Sequence, residues 1–98
     1  MKRIDPVIHE PARLLALNLL AGHERLDFYK MLELAEMTAG NLSSHMARLE
    51  TAGYVAVRKT FRDRTPHTTY RITDEGREAL RAYWRDMDEI RALGRRNA

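Results

Sequence analysis

Residues Gly40 to Tyr70 read GNLSSHMARLETAGYVAVRKTFRDRTPHTTY, and two different periodicities meet inside them. In the first part Leu42, Met46 and Leu49 recur at i, i+4 and i+7, the spacing of one buried helical face. Asn41, Ser43, Ser44, Ala47 and Arg48 then project from the other faces. A helix that only faces water normally carries Glu and Lys outside, because both are good helix formers. Ser and Asn in their place cost on the order of half a kcal/mol each. Small hydrogen-bonding side chains instead allow close approach to a surface of donors and acceptors, with Arg48 as the long reader. The floor of a DNA major groove is such a surface.

After Gly53 the period shifts towards two. Tyr54 to Phe61 and His67 to Thr73 are rich in Val, Thr, Tyr, Phe and Ile, the composition of paired antiparallel strands. Arg62 to Pro66 is the predicted loop, with Pro66 at the tip or edge because it has no N–H to give to a ladder. From Tyr54 to Thr73 there are five cations (Arg58, Lys59, Arg62, Arg64, Arg71) against one anion, Asp63. Residues 1 to 53 hold six basic and seven acidic side chains, and residues 54 to 98 hold eleven and seven, so the formal charge of +3 is gathered on the ribbon. Clustered cations on a projecting ribbon make a phosphate footprint. The plainer use of such charge is to stop an exposed edge from pairing with another chain.

Towards the N-terminus, Pro11 suits the first turn of a helix that buries Leu14, Leu15, Leu17 and Leu20 and stops at Gly22, read as the residue after the cap. Asp27 is the expected N-cap of a second helix carrying Phe28, Met31, Leu32 and Leu34, with a very short strand at Arg25 and Leu26 before it. Met37, Thr38 and Ala39 make a tight turn, and Thr38 caps the third helix, which runs to Thr51 or Ala52. Beyond the hairpin, Thr73 with Asp74 and Glu75 opens a long last helix that continues to about Leu93. The predicted fold is mostly α with a small β-hairpin (α+β): three helices, a strand, a wing, a strand and a fourth helix. That order is a winged helix-turn-helix, a single domain over residues 1 to 98.

The bulk numbers fit a compact binding module. Ninety-eight residues, 44% hydrophobic and 32% charged, suffice for one core. No apolar run reaches the roughly 20 residues of a membrane span, and MKRIDPVIHEP lacks the continuous apolar segment of a signal peptide, so the expectation is a cytoplasmic protein with no membrane partner. The absence of cysteine rules out disulfides, thiolate ligands and a cysteine nucleophile. His9, His23, His45 and His67 have no partner at i+3 or i+4, so no metal and no other cofactor is expected. His45, beside Met46 and three residues from Leu42, belongs at the edge of the buried stripe. Ser43 and Ser44 have no base placed to activate them, and no catalysis is expected.

The chain resembles the small single-domain winged-helix transcriptional regulators of the MarR/ArsR superfamily. The resemblance is carried by PARLLAL, DFYKMLE, GNLSSHMARLETAGYV, RTPHTTYRIT and DEGREAL, which together span most of the chain. It implies a homodimer built on the first and last helices, with the third helix in the major groove of double-stranded DNA and the wing beside the phosphates. On the positions that match, it assigns DNA contact to Thr38, Gly40, Asn41, Ser43, Ser44 and Arg48 in the third helix, and to Arg58, Lys59, Arg62, Arg64 and His67 on the wing. The stripe Leu80, Tyr83, Trp84, Met87 and Ile90 recurs at helical spacing on a last helix about 30 Å long, too long for a small monomer to cover. It is the expected dimer interface, with residues 74 to 94 as the dimerisation helix. A small-molecule effector is undefined at this level. The competing class is a winged-helix protein-interaction module, which would carry exposed aromatic or aliphatic anchors on the third helix.

Overall fold

The computed structural model describes residues 4–95. Its elements are α1 (Pro11–Ala21), β1 (Leu26–Asp27), α2 (Phe28–Ala35), α3 (Ala39–Thr51), β2 (Val55–Arg62), β3 (Thr65–Ile72) and α4 (Asp74–Leu93). The order is that of a winged helix, with one short strand added before α2. Each helix begins on a side chain that accepts a hydrogen bond from the backbone N–H three residues on. Glu10 accepts from Arg13 at 2.9 Å, Asp27 from Lys30 at 2.7 Å, Thr38 from Asn41 at 3.2 Å and Thr73 from Gly76 at 2.9 Å.

The antiparallel sheet has the order β1-β3-β2, and β2 pairs with β3 along its whole length, from Val55 opposite Ile72 to Arg62 opposite Thr65. The wing loop is therefore shorter than Arg62 to Pro66. Only Asp63 (φ 51°) and Arg64 (φ 67°) turn the chain, both left-handed, as a two-residue hairpin loop of the twist-matched kind requires. Pro66 lies inside β3, opposite Phe61. Counting from the turn, Arg62 and Thr65 form the closing hydrogen-bonded pair, so the alternation puts the nitrogen of Pro66 on the side away from β2, where β1 does not reach.

The core gathers Ile8, Ala16, Leu17, Leu20, Met31, Leu42, Met46, Leu49, Val55, Tyr70, Ile72, Leu80 and Tyr83. Two expectations for the helices change. Leu15 is 42% exposed and Ala16 takes the inward position, because Leu15 stands two residues from Leu17, almost opposite it around a 3.6-residue turn. Leu34 likewise sits at the rim, with Ala35 buried in its place. Gly22 is the C-cap itself, with φ −91°, and so needs no left-handed conformation. The segment before α1 adds an anchor: Ile8 is fully buried, and the Tyr54 hydroxyl donates to Asp5 Oδ2 at 2.5 Å. Burial first, and then that hydrogen bond, push the Tyr54 hydroxyl up to about 12.

The end of α3 and the start of α4 meet at one tight corner. Gly53 (φ 84°) donates to Glu50 O at 2.9 Å and Tyr54 N to Leu49 O at 3.0 Å, the two bonds of a Schellman motif. Thr73 locks this corner from the other side, its N–H donating to Tyr54 O at 3.0 Å and its hydroxyl to Gly53 O at 2.7 Å. Gly76 passes so close that a Cβ there would stand 2.2 Å from the Tyr54 carbonyl oxygen. Gly→Ala inside a helix ordinarily stabilises by up to ~1 kcal/mol. At Gly76 the sign reverses: Gly76→Ala is expected to destabilise by about 3 kcal/mol, because it overpacks against backbone that cannot yield. Chemical denaturation checks this, and a neutral or stabilising Gly76→Ala would mean the corner is looser than described.

Candidate nucleic-acid interface

On α3 the core takes Leu42, Met46 and Leu49, leaving Gly40, Asn41, Ser43, Ser44, Ala47 and Arg48 exposed. The Thr38 hydroxyl is occupied as the cap, and its aliphatic part stays at the surface. A Cβ added at Gly40 would meet nothing within 4 Å, so this side of the helix entry is open. Arg48 makes no side-chain hydrogen bond or ion pair among the described residues and is free to reach outward. The N-terminal turn of α3 also presents backbone N–H groups and the positive end of the helix dipole.

His45 is turned inward, away from this face. Its Nδ1 lies 3.2 Å from an Arg13 guanidinium nitrogen and 3.5 Å from Glu10 Oε2, while Arg13 Nε donates to Val7 O at 2.5 Å. Burial would raise the Glu10 carboxyl. The backbone N–H groups of Arg13 and Ala12, then the charges of His45 and Arg13, outweigh it and hold that carboxyl below its ordinary value. The start of α1 thus grips the middle of α3. The sequence signals this only through the placing of His45 at the edge of the stripe.

The wing has two faces, set by strand alternation and register. One continues the core outward: Val55 with Ile72, Val57 with Tyr70, Lys59 with Thr68, and Phe61 with Pro66. The other carries Arg58 opposite Thr69, Thr60 opposite His67, and Arg62 opposite Thr65. Of the wing residues expected from sequence to meet DNA, Lys59 alone shares the α3 side, Arg58, Arg62 and His67 lie on the other face, and Arg64 occupies the turn. Between α3 and the first face runs an open cleft of about 230 Å³, lined by Ser43, Ala47, Glu50, Lys59, Thr68 and Tyr70 among others. Burial and, secondarily, the Glu50 charge raise the Tyr70 hydroxyl above its ordinary value, which keeps it protonated.

The expected dimer stripe divides. Leu80 and Tyr83 are inside the chain's own core, where Tyr83 also meets His9 Nδ1 at 2.9 Å through its hydroxyl, so α4 uses these two for its own fold. Met87 is partly buried, while Trp84 (42% exposed) and Ile90 are exposed, and Leu93 and Leu15 join them at the surface. Trp84 Nε1 donates to Asn18 Oδ1 at 3.4 Å, which sets the indole beside α1. Among the described residues, no helix is long and apolar enough to cross a membrane and no cluster of three or more His, Asp or Glu could hold a metal ion.

The profile of the family described as winged helix DNA-binding domain matches residues 12–91. An uncharacterized protein of Methanocaldococcus jannaschii is 32% identical over 77 residues, covering 79% of this chain and 84% of that one. The transcriptional regulator homologue of Pyrococcus horikoshii superposes with a TM-score of 0.79 at 30% identity, over 86% of this chain and 83% of that chain. MarR shares the fold at a TM-score of 0.75 and 14% identity, over 93% and 66% of the two chains. Family and fold are those of DNA-binding transcriptional regulators, which are not enzymes. Glu50 is the one anion lining the α3–wing cleft among the described residues, and it opposes any phosphate entering there. Glu50→Gln should therefore tighten binding to arbitrary duplex by about two- to fivefold at low salt, read by fluorescence anisotropy. Unchanged affinity would place the phosphate strand outside the cleft.

Proposed function

Since this chain belongs to the winged helix DNA-binding domain family, we propose that it is a cytoplasmic, sequence-specific transcriptional repressor that binds a pseudo-palindromic operator as a homodimer. The observation that carries this is the pairing of an exposed α3 face made of Asn41, Ser43, Ser44, Ala47 and Arg48 with an adjoining ribbon that brings Lys59 to the same side and carries Arg64 in its turn, neither of them in an ion pair among the described residues. The α3 face fits a major groove, and the adjoining cleft admits the phosphate strand that borders it. Repression is the proposed sign because a dimer bound over a promoter excludes the polymerase by occupancy alone. The protein-interaction alternative would use a large apolar anchor on α3, and the exposed α3 positions carry none.

Dimerisation supplies the second half-site. The support is the apolar surface left outside the core on α1 and α4, Leu15, Trp84 and Ile90 with the part-buried Met87, on a last helix whose buried residues end at Tyr83. To read two successive major grooves, such a dimer must hold its two α3 helices about one DNA turn, ~34 Å, apart. Trp84→Ala should weaken the dimer by about 3 kcal/mol, enough to carry a micromolar dimer to monomer. Sedimentation equilibrium measures this, and a wild-type protein that stays monomeric at tens of micromolar would defeat the dimer, taking ~10 μM as the scale of such an interface.

The two DNA-facing elements are separable by what each change does to specificity. Arg48→Ala should lose about 1 to 3 kcal/mol of discrimination between operator and scrambled duplex, the worth of a bidentate hydrogen-bonded reading of one base. Arg62→Ala/Arg64→Ala should weaken both duplexes alike and flatten the salt response by ~0.9 in log–log slope for each phosphate no longer neutralised, doubled in a symmetric dimer. Salt titrations on both duplexes decide the roles. A wing variant with the wild-type slope, or an Arg48→Ala that weakens both duplexes equally, contradicts them.

A further inference from the structure

Phe61 is the most exposed large apolar side chain among the described residues, at 77%, and no element covers it. A single exposed hydrophobic residue ordinarily needs no explanation. This one stands at the end of the exposed ribbon, beside Arg62 and close to Arg64 in the turn, and its cross-strand partner is Pro66. The tip therefore places two apolar side chains at directly opposed positions, flanked by cations.

Its position follows from register. On the face the wing shares with α3, the pairs run outward as Val57 with Tyr70, Lys59 with Thr68, then Phe61 with Pro66. The first pair belongs to the core and cleft floor, and Lys59 and Thr68 line the cleft opposite Ser43 and Ala47. Two residues advance a strand by about 6.7 Å, so Phe61 lies one such step beyond Lys59 on the same side. With α3 in a major groove, the phosphate strand bordering that groove occupies the cleft, and the next surface outward is the adjacent minor groove. Its walls are deoxyribose C–H groups and its floor is base edges, and minor-groove binders insert apolar side chains such as Phe, Leu and Pro between base steps from this side.

We propose that Phe61, backed by Pro66, meets the minor groove and supplies a salt-independent, shape-selective share of DNA binding. It rests on the DNA-binding function proposed above and adds a specificity determinant outside α3. The surrounding Arg62 and Arg64 steer the tip to a polyanion, which disfavours a neutral apolar protein surface as its occupant. A lone ring also cannot provide the succession of stacking platforms that unpaired RNA requires.

The test compares Phe61→Ala and Phe61→Leu with the wild type on an operator selected from random duplex. Because Phe61 is exposed, thermal unfolding of both variants should match the wild type. Phe61→Ala should bind the operator about tenfold more weakly, with an unchanged slope of log affinity against log salt, since the substitution removes no counterion-releasing charge. Phe61→Leu should retain affinity within about threefold, because an apolar side chain of similar reach still meets the groove wall. Wild-type affinity in Phe61→Ala, or a changed salt slope at the same stability, overturns the inference while leaving DNA binding intact. A wild-type protein that selects no operator and binds no duplex at low salt overturns the DNA-binding function itself.

Discussion

The corner at Gly53 and Tyr54 is the constraint that sets α3 against the wing. The left-handed Gly53 ends α3, Tyr54 begins the ribbon, and the start of α4 closes over both with two hydrogen bonds from Thr73 and the bare Cα of Gly76. A helix end, a strand start and a second helix start are thereby fixed by backbone rather than by flexible side chains. The angle between α3 and the wing follows from this corner, and with it the width of the cleft where a phosphate strand would run. Because the corner is built from backbone groups with little room to shift, an added methyl there cannot be absorbed by a rotamer change.

A second brace holds the other side of α3. Arg13 joins the carbonyl of Val7 to His45, and Glu10 both caps α1 and faces His45, so the segment before α1 is part of the scaffold. Asp5 repeats the pattern at the corner through the Tyr54 hydroxyl. With its inner face buried and its ends and middle pinned, α3 has no side-chain hydrogen bond or ion pair from Asn41, Ser43, Ser44 or Arg48 on its outer face among the described residues. That freedom distinguishes Arg48 and the wing cations from Arg81 and Arg91, which pair with Glu78 and Asp88 three residues away on α4.

Much of this is legible in the sequence because it rests on local chemistry. Thr38, Asp27 and Thr73 announce helix starts, Gly53 a helix end, and the change of period after it a ribbon. What escapes is non-local. The burial of Ile8 and the outward turn of Leu15 depend on which neighbours arrive, since Leu-rich α1 offers apolar residues on several faces and only packing chooses among them. Pro66 suggests a long wing loop with a proline tip, whereas the two left-handed residues Asp63 and Arg64 make the turn without a glycine. On α4 the 3–4 spacing of Leu80, Tyr83, Trp84, Met87 and Ile90 does mark a helical stripe. Spacing alone cannot show that its first half is claimed by the chain's own core and its second half left outside.

The distribution of roles is then simple in physical terms: a rigid corner sets α3 against the wing, and in the proposed dimer the exposed half of α4 sets one copy against another. The most direct test is hydroxyl-radical footprinting of a selected operator bound by the wild-type protein, read together with guanine methylation protection. The account predicts two blocks of major-groove guanine protection about one helical turn, ~10.5 base pairs, apart, each flanked by protected sugars in the neighbouring minor groove. A single major-groove block with no flanking sugar protection would contradict it, because α3 would then be reading DNA without the wing beside it.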